Sequence, residues 1–169
     1  MDRLVILRKR IAGLSPSTLE RFILRARREL RLRQNVNVLL TGSTELRALN
    51  RRFRGMDKAT DVLSFPSPES FRKLARIAGE LAISLDVARE NANHLGHSIA
   101  EEVKILVLHG ILHLAGFDHE RDHNEMARKE GRLRQKLNLN SGLIERTRSS
   151  GQGSGRRRRP RASARRRTL

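Results

Sequence analysis

The chain has 169 residues, enough for one domain with a sizeable hydrophobic core and hardly enough for two. It contains no cysteine, which excludes disulfide partners, a thiol nucleophile, thiolate-held iron–sulfur clusters and Cys-type zinc sites, so a tightly held transition metal has to sit on imidazoles and carboxylates. The formal net charge is +18, but residues 146–169 hold ten Arg and no acid, leaving 26 basic against 18 acidic residues, or +8, on residues 1–145.

Such a field attracts phosphate backbones or other anionic surfaces without specifying any reaction. With no Trp or Tyr and five Phe, the sequence offers little for aromatic platforms, so charge and shape are expected to do most of the holding of any nucleic acid. There is no apolar run of about 18 residues to span a bilayer. The opening Met-Asp-Arg-Leu-Val-Ile-Leu-Arg-Lys-Arg is recharged too quickly for a signal peptide, and a cytoplasmic protein with no membrane association is expected.

In chain order, Leu4 to Leu7 has strand character, and after Ser15-Pro16 the residues Leu19, Phe22, Ile23, Ala26 and Leu30 recur at helical spacing. Val36 to Leu40 reads as a strand. Thr41 to Ser43 offers caps for a helix with Leu46, Leu49 and Phe53 on one side. Asp61 to Phe65 is a brief strand stopped by Pro66 and Pro68, and Gly79 to Ser84 alternates as a sheet strand should. A helix from Ser84 to His94 ends near Gly96. Ser98 with Glu101 is a capping-box signature opening a helix that is apolar over most of its circumference and stops at Gly116. Asp122 to Leu137 supplies a last helix with Met126, Leu133 and Leu137 inward. The expected fold class is α+β: a single domain in which a small mixed sheet packs with helices around a central buried one, spanning residues 1–145. Residues 146–169 are expected to be a disordered Arg-rich tail, read either as an electrostatic arm for RNA or as an incidental solubilising extension.

The chemistry concentrates on the central helix. His109 and His113 are four residues apart and share a face, and after a turn at Gly116 the chain presents His119. An isolated imidazole on an apolar helix is usually a satisfied core residue. Three at this spacing are better explained as metal ligands, because an imidazole pair in apolar surroundings costs desolvation unless something pairs with it. Three imidazoles leave one position of a divalent ion open to water, the pattern of a catalytic site. One Zn2+ per chain is expected, with Ni2+ or another late first-row ion compatible with the same ligands. Zinc proteases with a similar spacing carry a general-base Glu after the first His; here that residue is Gly110, which removes the base.

The segment His109 to His119, with Thr-Asp-Val-Leu-Ser-Phe-Pro at 60–66, resembles the YbeY family of bacterial rRNA maturation factors. The resemblance runs through most of residues 1–145 and includes the segment from Arg54 to Pro66, Gly-Glu-Leu-Ala-Ile-Ser from Gly79, Gly-His-Ser from Gly96 with Glu102, and the final helix. It implies a small cytoplasmic protein that is a zinc-dependent, single-strand-directed endoribonuclease. Its implied partners are single-stranded RNA, rRNA precursors and the small ribosomal subunit, in 3′-end maturation and ribosome quality control. The family's metal ligands fall on His109, His113 and His119, and its active-site arginine on Arg54, which without the resemblance reads as one more solvated Arg. The sheet strand has Gly-Glu-Leu where Gly-Asp-Ile is frequent, and the tail lies outside the family pattern.

The implied mechanism is attack on a phosphodiester by metal-activated water, or by a ribose 2′-hydroxyl, while Arg54 grips the phosphate. Ser64 and Thr60 are placed to donate hydroxyl hydrogen bonds near the site or to satisfy local backbone. Asp118 is either an orienting partner of a ligand imidazole or a cap. His94, His97 and His123 are surplus to three ligands, with His123 the nearest and a candidate RNA or ligand-orienting contact. The alternatives are a non-catalytic RNA-binding ribosome assembly factor with a structural metal and, further off, a zinc protease.

Overall fold

In the computed structural model, which describes residues 5–8, 10–118 and 124–139, the chain runs β1 (Val5–Leu7), α1 (Pro16–Glu29), β2 (Asn35–Thr41), α2 (Ser43–Arg54), β3 (Val62–Pro66), α3 (Glu69–Leu74), β4 (Ile77–Ser84), α4 (Leu85–Leu95), α5 (Ile99–Leu114) and α6 (Glu125–Lys136). The strands form one sheet in the order β1-β2-β4-β3, in which β1, β2 and β4 run parallel and β3 pairs antiparallel with β4. This is a single-domain α+β fold with a small mixed sheet. Leu4, Asp122, His123 and the Arg-rich tail of 146–169 lie outside the described residues.

Alternation along the strands sorts the two faces of the sheet. Val36, Val38 and Leu40 of β2, with Leu81 and Ile83 of β4, enter the main core beneath α1 and α5. Ala82 and Leu63 point the other way and pack with Leu46 of α2 in a smaller cluster. The central helix α5 buries 11 of its 16 residues, as an all-round apolar helix must. It packs against both β3 and β4 and against α1, α4 and α6. The Ser98 hydroxyl accepts from the Glu101 N–H at 3.1 Å, so the cap read from the sequence is formed. At Gly110 α5 lies close against the sheet: a Cβ there would come within 2.6 Å of a Leu81 methyl.

Three local differences from the sequence reading have physical causes. The short helix α3 was not anticipated, because its apolar residues Phe71 and Leu74 are 51% and 87% exposed and so make no burial pattern. It is anchored by Arg72, whose Nη2 donates to the Leu114 carbonyl at the end of α5 at 2.7 Å. In α2, Leu46 is buried and Leu49 packs beside it, but Phe53 is turned outward and 58% exposed. The start of α2 is held from another element: Gly42 is the cap residue and the Ser43 N–H donates to Asp86 Oδ2 of α4 at 2.8 Å. No helix among the described residues is long and apolar enough to cross a membrane.

Candidate functional site

The i, i+4 spacing on α5 brings the two imidazoles together, with His109 Nε2 and His113 Nε2 3.2 Å apart and the ring planes at 80°. Their far nitrogens fix the tautomers. His113 Nδ1 lies 3.1 Å from the Phe117 carbonyl oxygen, which can only accept, so Nδ1 carries the proton. His109 Nδ1 lies 3.0 Å from Glu130 Oε2, and an ionised carboxylate imposes the same choice. In neutral rings each Nε2 is then the lone-pair nitrogen.

Two lone pairs facing each other at this distance repel unless a cation or a proton lies between them. Their separation is close to the edge of a tetrahedron with Zn–N bonds of 2.0–2.1 Å, about 3.3 Å. The donor set fits a divalent metal by chemistry as well as by distance: neutral imidazoles, each with its other N–H on an oxygen acceptor. The described part of the expected ligand set is this pair, because His119 lies outside the described residues. Among the described residues no group of three or more His, Asp or Glu is arranged to hold an ion.

His113 opens onto a cleft of about 440 Å³ whose walls also include Arg54, Ser64, Phe117 and Asp118. Residues far apart in sequence meet there because β3 is the edge strand. Arg54, the last residue of α2, reaches over that edge and donates from Nη2 to the Ser64 carbonyl at 3.2 Å. The chain after α2 is clamped by Arg47, whose Nε and Nη2 donate to both Asp57 oxygens at 2.7 and 2.9 Å. That hydrogen bonding and charge hold the Asp57 carboxyl below its ordinary pKa. Phe117 also lines a second cleft, whose other walls are Glu125, Arg128, Lys129 and Arg132 of α6.

The remaining sequence candidates sort out by position. Asp118 lines the cleft, and Glu130 Oε2 and the Phe117 carbonyl lie against Nδ1 of His109 and His113. Thr60 lies beside Asp61, with its hydroxyl 3.3 Å from that carboxylate. His97 belongs to a different buried group: its Nε2 is 2.6 Å from Glu102 Oε2, and Asn91 donates to the other Glu102 oxygen at 3.3 Å. His94 is exposed on α4. His123 lies outside the described residues.

Glu130 was missed by the sequence reading although a signal was present. Met126, Glu130, Leu133 and Leu137 recur at helical spacing, and all four are buried, so Glu130 is a carboxylate in the apolar stripe of α6. A charge in that position has to be paired. The Phe117 contact is made by main chain and leaves no trace in residue type.

Residues 9–138 match the family model described as Endoribonuclease YbeY. A curated relative of that name from Koribacter versatilis is 56% identical over 144 residues, covering 85% of this chain and 91% of its own length. Another from Solibacter usitatus is 48% identical over 145 residues, covering 86% and 95%. A solution structure of a Thermotoga maritima protein superposes with a TM-score of 0.53 at 28% identity, spanning 91% of this chain and 99% of that one. An imidazole pair on a buried helix facing an arginine across an edge strand thus occurs in a chain matched along most of its length, and the chain belongs to the YbeY family.

Proposed function

We propose that this protein is a metal-dependent endoribonuclease that cleaves single-stranded RNA in the cytoplasm, with the 3′ end of small-subunit rRNA precursors as its substrate. Ribosome quality control is the process it would serve. Family membership supports nuclease chemistry on RNA in general. The observation that carries the finer reading is the convergence of His109 and His113 Nε2 beside a cleft that Arg54 also lines.

In this reading His109, His113 and His119 hold one Zn2+, which when bound supplies Lewis acidity toward a phosphoryl oxygen and acidifies water. The chain's own groups do the rest. Glu130 and the Phe117 carbonyl retain the Nδ1 protons and keep both rings turned toward the ion. Arg54 uses one N–H on the Ser64 carbonyl, which fixes the guanidinium at the cleft wall and leaves further donors of its fork for phosphate oxygens as negative charge develops. The groove along Arg128, Lys129 and Arg132 provides an anionic strand with a path away from the cleft.

Peptide hydrolysis is disfavoured for a structural reason as well as a chemical one. Position 110, where a zinc protease carries its base, packs against Leu81 in the sheet, so a carboxylate there would meet the core. The test runs wild type, Arg54→Ala and His113→Ala on a ribosomal 3′-end precursor with and without chelator. Arg54→Ala is expected to lower cleavage at least tenfold with metal content unchanged, as for loss of one transition-state donor. His113→Ala and chelation are expected to abolish cleavage. Cleavage that survives both substitutions and the chelator would overturn the reading in favour of an assembly factor, and chelator-sensitive casein turnover would favour a protease.

A further inference from the structure

A feature outside the ion site lies next to Arg54. Phe53 is 58% exposed at the end of α2, although it is one of only five aromatic residues in the chain. Its ring meets Phe65 of β3 edge-to-face, with centroids 5.4 Å apart at 67°, and the Arg52 guanidinium carbon lies 5.3 Å from its centroid. Both contacts fix the ring, Arg52 from over its face and Phe65 edge-to-face, and 58% of the residue still stays exposed. An aromatic side chain held in place while mostly wetted costs free energy in the isolated protein, which points to an occupant.

The surroundings say which occupant. Phe53 sits within Arg51-Arg52-Phe53-Arg54, so three guanidinium groups belong to the same helical turn as the ring. An apolar protein partner would have to bury that charge, whereas a nucleic acid strand brings a flat π face together with phosphates. Phe53 and Arg54 are chain neighbours, with Cα atoms about 3.8 Å apart. Arg54 reaches over the β3 edge to the Ser64 carbonyl, while Phe65 supports Phe53 from the same strand. Side chains at successive helix positions diverge, but these two converge on adjacent residues of β3, Ser64 and Phe65, so a strand with one phosphate at Arg54 has the exposed ring within reach of a nearby nucleotide.

We infer that Phe53, braced by Phe65 and flanked by Arg52, is a stacking subsite for an unpaired nucleobase of the RNA strand next to the phosphate held by Arg54. The inference rests on the endoribonuclease reading for its choice of strand. It supplies a physical reason for single-strand preference, because a base engaged in a duplex cannot present its face to the ring. It would add one aromatic contact to the holding that charge and shape are expected to do, through Phe53 and the Phe65 it meets at the edge strand.

The test uses the full chain and single-stranded RNA oligonucleotides of the precursor sequence in which one 2-aminopurine is moved position by position. Wild type is expected to quench the fluorophore strongly at one or two adjacent positions. Phe53→Leu, which keeps apolar bulk but lacks a π face, is expected to abolish that quenching and weaken binding about tenfold or more, while Phe53→Trp retains both. Thermal melting of each variant shows that the exposed position leaves the fold intact. Equal quenching and affinity for wild type and Phe53→Leu, or equal losses in Phe53→Leu and Phe53→Trp, would overturn the inference. Because quenching reads binding, a wild-type protein that quenches but cleaves no RNA would refute the nuclease reading and leave the subsite standing.

Discussion

Glu130 is the carboxylate placed to orient His109 in the proposed ion site. Glu130 is 1% exposed and its Oε2 lies 3.0 Å from His109 Nδ1. Glu130→Gln keeps the shape and removes the charge, so zinc affinity is expected to fall by about 10–100-fold with the fold retained. A competition titration against a chromophoric chelator, with melting of the metal-free protein as control, measures it; unchanged affinity would show that the carboxylate does not orient the ring. The approach of the two imidazoles was legible in the sequence because residues four apart on a helix share a face. Glu130 was legible in principle, as a charge among Met126, Leu133 and Leu137, but nothing in its spacing names His109, which comes 21 residues earlier. The path of Arg54 over the sheet edge was not legible from residue pattern, since it depends on β3 being last in the strand order.

At the scale of elements, the site depends on how closely β4, β3 and the end of α5 approach. Gly79 lies at that junction: a Cβ there would be 2.5 Å from the Phe65 carbonyl oxygen and 2.6 Å from a Leu114 methyl. Backbone cannot swing aside as a side-chain tip can, so Gly79→Ala is expected to destabilise the protein by about 1–3 kcal/mol. Urea unfolding checks this, and a midpoint equal to wild type would mean that β3 moves freely. The strands and the capped helix α5 were readable because alternation, the Ser98 cap and an all-round apolar stretch leave local marks. Helix α3 was not, because an exposed helix held by one side-chain hydrogen bond from Arg72 has no apolar periodicity to detect. Phe53 misled for the opposite reason: it shares a helical side with Leu46 and Leu49, but its ring meets the sheet edge-to-face at Phe65 of the edge strand and stays 58% exposed.

For the whole molecule, the distribution of charge separates holding from chemistry. A chain truncated after Glu145 loses ten Arg and keeps every described element, so unchanged melting is expected together with a shallower dependence of log RNA affinity on log salt. Equal slopes for the two chains would show that the tail does not meet phosphate. The described body has basic groups of its own in two clefts that share Phe117, Arg54 in one and Arg128, Lys129 and Arg132 in the other, and RNA binding by the truncated chain is expected to persist. The bond between His109 and Glu130 has a further consequence for the order in which the protein is made. Synthesis delivers α5 first, so the imidazole pair exists for a time without its charged acceptor and becomes fully oriented only when α6 follows and docks. If the site holds an ion as proposed, it is therefore completed by the docking of α6 and not by the folding of α5 alone.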